Sequence, residues 1–289
     1  DLYEGKHPNV RIQPVRFDMT FKRSHGKVGM TNKLEEIGNQ AVEAAENGNS
    51  ILILSDRNAD YENPPIPSML VLRRVVNALN ENGLRLRSSI VVDTAEIKNT
   101  HHVGALIGYG ATAVCPYMSL SLARYDDDKS IKKIDPDDRE KRLLKAFEKG
   151  LLKIMAKTGI SVVRSYQSAK LFTPVGLGPK IIQKYFPGNT SPVGGWEMEH
   201  IVNDILRSTE AAKPAEEEDE EKKKFKPPRT YIYKEHNKGK KGEKHSMTNM
   251  QTKIIHDLVR NHEDPDDEAM GLFDEYLEVT KGQTPVTIR

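Results

Sequence analysis

The sequence predicts an α/β protein built on a parallel sheet, and three observations carry that prediction. Short runs of strand length and apolar character recur at residues 51–54, 88–92, 112–115 and 160–163. The stretches between them carry apolar residues at helical spacing. Glycine and proline punctuate the changeovers. Alternation of this kind lays strands side by side in one direction, with helices as the crossovers. A closed barrel and an open sheet both satisfy the pattern.

Residues 1–30 give no regular signal. From Thr31 onward, Leu34, Ile37, Ala41, Val42 and Ala45 share a helical face, with Thr31 or Asn32 as the cap and Gly48 as the stop. Ile51, Leu52, Ile53 and Leu54 form an unbroken apolar run, the signature of a buried parallel strand. Pro64, Pro65 and Pro67 mark a loop that launches a helix. Its core face is Leu72, Val75, Val76 and Leu79, and Gly83 lies just past its end. After the strand at 88–92 comes a helix over 99–107, from which Gly108, Tyr109 and Gly110 turn the chain into the strand at 112–115. Residues 123–138 are polar and acidic, a surface excursion. A helix over 139–157 follows, and Gly159 leads into a fourth strand at 160–163.

Beyond about Leu206 the composition changes. Residues 216–221 are all acidic, Lys222, Lys223 and Lys224 follow, and then come Pro227 and Pro228. So much uncompensated charge with so little to bury predicts a disordered linker, set at 209–228. The organisation is therefore an α/β domain over 1–208, the linker, and a mostly helical and irregular segment over 229–289. In that segment helices are expected over 249–260 and 266–280, with Met270, Phe273, Leu277 and Tyr276 as the apolar face of the second.

Composition narrows the function. A formal net charge of +2 provides no global field for nucleic acid or an anionic membrane. The basic stretch 234–244 follows an acidic run of similar size, so the two offset each other and no nucleic-acid partner is expected. The apolar runs are too short to span a bilayer, so no membrane partner is expected either. The one cysteine, Cys115, excludes an intramolecular disulfide and fits a reducing, intracellular compartment. It equally excludes an iron–sulfur cluster held by this chain alone, since such clusters take several thiolates.

In parallel α/β folds the residues that follow the strands share one rim, where sites form. This rule picks Ser55, Asp56 and Arg57 after the first strand and Asp93, Thr94 and Glu96 after the second. It picks Pro116 and Tyr117 after the third, and Arg164, Ser165 and Tyr166 after the fourth. Such a rim orients a substrate or holds a neighbouring domain; the competing reading is that it caps helices and ties loops. His101 and His102 are adjacent, about 100° apart on a helix, and so do not converge on one ion as an i, i+4 pair does. Packing or hydrogen bonding at the rim suits them better than metal binding. Cys115 reads as a packing residue, because nothing nearby in sequence activates its thiol.

Longer matches say more than any of these. Ile53-Leu54-Ser55-Asp56-Arg57 followed by Pro65-Ile66-Pro67-Ser68-Met69-Leu70 is similar to the ILSDR…PIPSLL segment of the glutamate synthase central domain. His101-His102 and then residues 106–117 (LIGYGATAVCPY) resemble its HH…LIGYGADAINPY. Residues 149–177 (KGLLKIMAKTGISVVRSYQSAKLFTPVGL) resemble KGLLKIMSKMGISTLQSYRGAQIFEAIGL, and residues 185–195 (YFPGNTSPVGG) resemble FxGTxSRIGG. After the charged stretch, Gly242-Glu243-Lys244-His245 is similar to the family's GEYH, and Phe273, Tyr276 and Thr287-Ile288-Arg289 fit its FxxY…TLR pattern. The family's Asn-Pro-Glu aligns with Thr248-Asn249-Met250, which keeps neither Pro nor Glu. Coverage runs from about residue 35 to the end of the sequence.

The resemblance implies a barrel-related α/β central domain over 1–208 and the entry to an FMN-binding domain from 229. The family makes glutamate from glutamine and 2-oxoglutarate. An amidotransferase domain releases ammonia, which passes along a tunnel beside the central domain to a flavin site. FMN and an iron–sulfur cluster are thus implied for the complete enzyme, with no cofactor and no catalytic residue in this chain, which alone is expected to be inactive. The implied partners are the amidotransferase and FMN domains of the same or an associated polypeptide, in the cytoplasm or plastid stroma. The electron donor, nicotinamide or ferredoxin, stays open. Ser55, Asp56, Arg57, Asp93, Glu96, His101, His102, Tyr117, Glu243 and His245 become candidate rim, tunnel or domain-contact residues. A free-standing, non-catalytic scaffold descended from the same domain is the alternative, and an independent α/β enzyme ranks behind it.

Overall fold

The structure, a computed structural model, describes residues 14–125, 133–212, 249–261 and 267–281. Glu243, His245, Thr248 and nearly all of the expected linker lie outside the described residues. The chain divides into two compact units, Asp1–Glu218 and Asp219–Arg289.

The first unit is α/β. Among the described residues its sheet has four parallel strands in the order β1 (Pro14–Asp18), β2 (Ile51–Ser55), β3 (Ser89–Asp93) and β4 (Ala113–Cys115). Helices α1 (Gly26–Glu46), α2 (Ser68–Glu81) and α3 (Thr100–Gly108) make the crossovers. Strand order equals chain order, without the reversal that defines a doubly wound sheet. Right-handed crossovers in one direction stack all their helices on one face, as along an arc of a β/α barrel.

The register separates the faces. Val15, Leu52 and Ile90 form one rank, and Phe17, Leu54, Val92 and Val114 the next but one. These point into the core, where Leu52, Leu54, Ile90 and Val92 have no exposed surface. The rank between them, Arg16, Ile53, Val91 and Ala113, points the other way, and Arg16 and Ala113 are exposed. On the core side, α1 contributes Met30, Leu34, Ile37 and Ala41, and α2 contributes Leu72, Val75, Val76 and Leu79. Fully burying one such leucine is worth about 1.5–3 kcal/mol, which fixes which way each amphipathic helix turns.

Among the described residues of this unit, four elements follow α4 (Tyr117–Tyr125): α5 (Pro136–Thr158), α6 (Val163–Tyr166), α7 (Pro179–Tyr185) and α8 (Met198–Ala211). Asp135 caps α5 by accepting from Asp137 N at 2.9 Å, and Pro136 opens its first turn. Gly108 lets Phe172 lie against α3: a side-chain carbon there would meet the Phe172 ring at 2.8 Å. In the second unit α9 (Asn249–Asn261) packs on α10 (Asp267–Lys281), burying Ile254 and Ala269. No helix among the described residues is long and apolar enough to cross a membrane.

Several expectations change. The region before Thr31 is not featureless: it holds β1, and α1 starts at Gly26. Helix α4 reaches Tyr125, into the expected excursion, and α8 reaches Ala211, into the expected linker. The strand expected at 160–163 does not form. Ile160 N closes the end of α5 on Met155 O at 3.0 Å, and Val162 O starts α6 by accepting from Ser165 N and Tyr166 N at 3.0 and 3.1 Å. Backbone groups spent on helix ends are not available to a ladder. Arg164, Ser165 and Tyr166 are consequently not rim residues, and Tyr166 is buried with its hydroxyl on Gly104 O at 3.0 Å. In α10 Ala269 is buried and Leu272, Tyr276 and Leu277 are half-buried, so Tyr276 and Leu277 of the expected face turn inward while Met270 and Phe273 are exposed.

Candidate functional site

The parallel register brings Asp18, Ser55, Asp93 and Cys115 side by side as the last rank of the four strands. Side chains from that rank and from the turns after it form one hydrogen-bonded circuit. The Ser55 hydroxyl donates to Asp93 Oδ2 at 2.8 Å and accepts from Arg16 Nη2 at 2.6 Å. Arg57 grips Asp93 with two parallel bonds, Nε to Oδ2 at 2.7 Å and Nη2 to Oδ1 at 3.0 Å. Its guanidinium lies 4.0 Å from the centre of the Tyr117 ring, a cation–π stack that orients both. The Tyr117 hydroxyl donates to Asp56 Oδ1 at 2.8 Å. Asp56 Oδ2 accepts from Thr94 Oγ1 at 2.5 Å and from Ala95 N at 3.0 Å, which closes the circuit on the turn after β3. Asn58 adds β1 through a 2.9 Å bond from Nδ2 to Asp18 Oδ2. Ser55, Asp56, Asp93 and Thr94 are buried, whereas the Arg57 side chain is 43% exposed and faces outward.

The electrostatics hold each group in its ordinary charge state. Burial raises the Asp93 pKa, but the bonds from Arg57 and Ser55 outweigh it and hold the carboxyl below the usual range. The bond to Asp93 pushes Arg57 up. Burial and then the Asp93 charge push the Cys115 thiol up, away from the reactive thiolate. Burial and the bond to Asp56 push the Tyr117 hydroxyl far up. At neutral pH the circuit therefore has anionic Asp93, cationic Arg57, and protonated Tyr117 and Cys115. That is a fixed scaffold, not a poised proton-transfer pair.

The Asp93 shift has a definite sign. A carboxyl whose folded pKa lies below its unfolded value of about 3.9 contributes stability in full above that value and loses it as pH falls through the folded value. Below about pH 4 the wild-type chain is therefore expected to lose stability more steeply than Asp93→Asn, which lacks the group. Urea midpoints measured against pH test this, and parallel curves would remove Asp93 from the acid response.

Glu96 touches this circuit only through its backbone, Glu96 N donating to Thr94 Oγ1 at 3.2 Å; its side chain, His101 and His102 lie apart from it. They meet at a cleft of about 570 Å³ between the starts of α2 and α3. Glu96 Oε2 accepts from Ser68 N at 2.8 Å and from Ser68 Oγ at 2.5 Å, and so caps α2 from a distance. Glu96 as a whole residue is exposed, but its carboxylate is packed at the helix end. Desolvation there raises its pKa against the two Ser68 bonds. His102 Nδ1 contacts Lys98 N at 3.2 Å and Glu96 O at 3.0 Å, and the His101 ring meets Phe172 edge-on at 5.5 Å. Among the described residues no group of three or more His, Cys, Asp or Glu is placed to hold a metal ion, and one thiol does not fit an iron–sulfur cluster.

The strand-end circuit thus takes in Ser55, Asp56, Arg57, Asp93, Thr94 and Tyr117 of the residues the rim rule picked, and Glu96 joins it through its backbone, while its carboxylate turns to α2. The rule missed Arg16 and Asp18 because it had no β1, and Asn58 because its partner is Asp18. The available signal was the alternation of Val15 and Phe17 between polar neighbours.

The family model of the glutamate synthase central domain matches residues 4–178. The chain is 35% identical to the ferredoxin-dependent glutamate synthase of Pyropia yezoensis over 200 residues, 65% of this chain and 13% of that protein. It is 33% identical to the glutamate synthase [NADPH] large chain of Bacillus subtilis over 201 residues, 70% of this chain and again 13% of the relative. It therefore spans about an eighth of the length of the relatives it matches. A mutant flavocytochrome b2 with benzoylformate is a distant structural likeness, with 14% identity and a TM-score of 0.41 over 65% of this chain and 43% of that one. A model match over more than half of the sequence, on the residues that build the strand-end circuit, makes this chain a member of the glutamate synthase central domain family.

Proposed function

We infer that this chain is the connecting part of a glutamate synthase making L-glutamate from glutamine and 2-oxoglutarate, and that its strand-end rim helps wall the path of ammonia between an amidotransferase domain and a flavin domain. The observation that carries this reading is the closed circuit from Ser55 through Asp93, Arg57, Tyr117 and Asp56 to Thr94. It ties together the turns after β2, β3 and β4 and leaves no carboxylate in it without a donor. Such a rim holds its shape while neighbouring domains turn over, which suits a conduit better than proton transfer. On this reading FMN and the iron–sulfur cluster belong to the flavin domain, and the oxidoreductase chemistry is theirs.

The test uses the complete polypeptide carrying Arg57→Lys. Lysine keeps the charge but loses the two-pronged grip and the stacking on Tyr117. Glutamate formation from glutamine is expected to fall about tenfold, with free ammonia accumulating, while formation from added ammonia is unchanged; about tenfold corresponds to losing one charge-assisted bond. An equal fall with both nitrogen sources, or no change in either, would sink the conduit reading. A native polypeptide of 32.6 kDa, detected with an antibody against residues 50–200, would replace it with the free-standing scaffold.

A further inference from the structure

The opposite ends of the strands carry a different chemistry. At their amino-terminal side lies a cavity of about 510 Å³ whose lining includes Ser50, Arg85, Arg87, Thr112, Arg164 and Gln167. Three arginines line it, and no acidic residue does. Elsewhere in this unit Arg57 pairs with Asp93, Arg74 with Glu35, Arg23 with Glu210 and Arg124 with Asp137, whereas the buried Arg73 donates to backbone carbonyls and the Asn77 amide oxygen instead. What sets this cavity apart is three arginines on one lining. Arg85, Arg87 and Arg164 have no carboxylate partner among the described residues.

Arg85 is held in place without being neutralised. Its Nη1 donates to Ser88 O at 2.9 Å and its Nη2 to Gly110 O at 2.7 Å. Burial, and then the nearby positive charge of Arg164, depress its pKa. The carbonyls at this end are already supplied with donors. Ser88 Oγ bonds Asn49 O at 2.8 Å, and Gln167 Nε2 bonds Ala111 O at 2.6 Å. Thr112 Oγ1 accepts from Ile90 N at 3.1 Å, which leaves its own hydroxyl hydrogen to donate. The cavity is thus rich in donors and positive charge and poor in acceptors. Like charges gathered at a half-buried site cost free energy that a bound counter-charge returns.

We propose that this cavity binds a small phosphate-bearing anion of the oligophosphate class, with Arg85 as the fixed anchor and the exposed Arg87 and Arg164 closing on it. Guanidinium forks match phosphate oxygens in pairs, and the volume falls in the range of small-molecule sites, about 300–1,000 Å³. The inference is independent of the conduit reading, since it concerns the other end of the sheet.

Pyrophosphate titrated into the 289-residue chain by calorimetry tests it. Arg87→Ala and Arg164→Ala remove exposed side chains, and circular dichroism checks that both fold. Each is expected to weaken binding about tenfold, and the double variant to abolish it. Arg207→Ala, on the exposed surface of α8, is expected to bind like wild type. Absence of binding by wild type would overturn the proposal, as would a double variant that binds equally well. Binding of polyglutamate without binding of pyrophosphate would also overturn it, in favour of an acidic protein partner.

Discussion

Asp56→Ala is expected to destabilise the chain by about 3 kcal/mol, read as a fall in the urea midpoint at unchanged slope. Asp56 is 2% exposed and serves three donors at once: the Tyr117 hydroxyl, the Thr94 hydroxyl and Ala95 N. Removing its carboxylate leaves them facing each other around a space with no acceptor. Each buried group that loses its partner costs about 1–3 kcal/mol, and the two hydroxyls recover part of this by turning toward water. The backbone N–H of Ala95 cannot turn, so its loss is not recovered. Asp56→Asn keeps one acceptor oxygen but sets an amide donor against other donors, and is expected to fall about midway. A loss below about 1 kcal/mol for alanine would mean that the circuit decorates the rim without holding it.

Gly150→Ala reverses a familiar sign. In the interior of a helix this exchange normally stabilises by about 1 kcal/mol. Here the added carbon would run into Thr100 Cγ2 and Oγ1 and lie 2.9 Å from Thr100 Cβ, so α5 and α3 must separate. Overpacking of this kind costs about 1–3 kcal/mol, and the variant is expected to be less stable by about 2 kcal/mol. Thr100→Ala removes the two nearer atoms, and the double variant is expected to recover at least half of the loss, a coupling that a double-mutant cycle measures directly. A neutral or stabilised Gly150→Ala would mean that the helices do not meet as closely as described.

That glycine also illustrates what the sequence alone conveys. Gly150 stands inside one of the longest motifs shared with the family, yet periodicity reads it only as a weak point in a helix. Its reason lies on Thr100, which no local pattern connects to it. β2 and α2 were legible because each is a strong local signal between clear stops: four apolar residues in a row, then three prolines and an apolar face that ends at Gly83. β1 was not, because Pro14, Arg16 and Asp18 leave only Val15 and Phe17 to carry the alternation. Ile160, Val162 and Val163 have good strand propensity, but propensity does not supply a neighbour to pair with, and the helix ends on either side took the backbone groups first. In α10 two faces are apolar at helical spacing. Spacing alone does not say which of them meets α9: Tyr276 and Leu277 turn inward, and Met270 and Phe273 do not. At the rim, six residues were legible because following a parallel strand fixes position regardless of identity. Arg16 depends on β1, and Glu96 depends on where α2 begins in space.

The agreement between strand order and chain order bears on how the protein is made. Each strand pairs only with the strand before it and the strand after it. No segment has to wait for a distant one or slip between two that have already joined. As the polypeptide leaves the ribosome amino end first, β1, α1 and β2 form a unit that can dock before β3 exists, and β3 and β4 then add in turn to the growing edge. The entropy of loop closure is met one crossover at a time instead of all at once. The partly built sheet presents a single new edge at each stage. The last strand to arrive, β4, has only three residues, which leaves little ladder exposed for a stray chain to join.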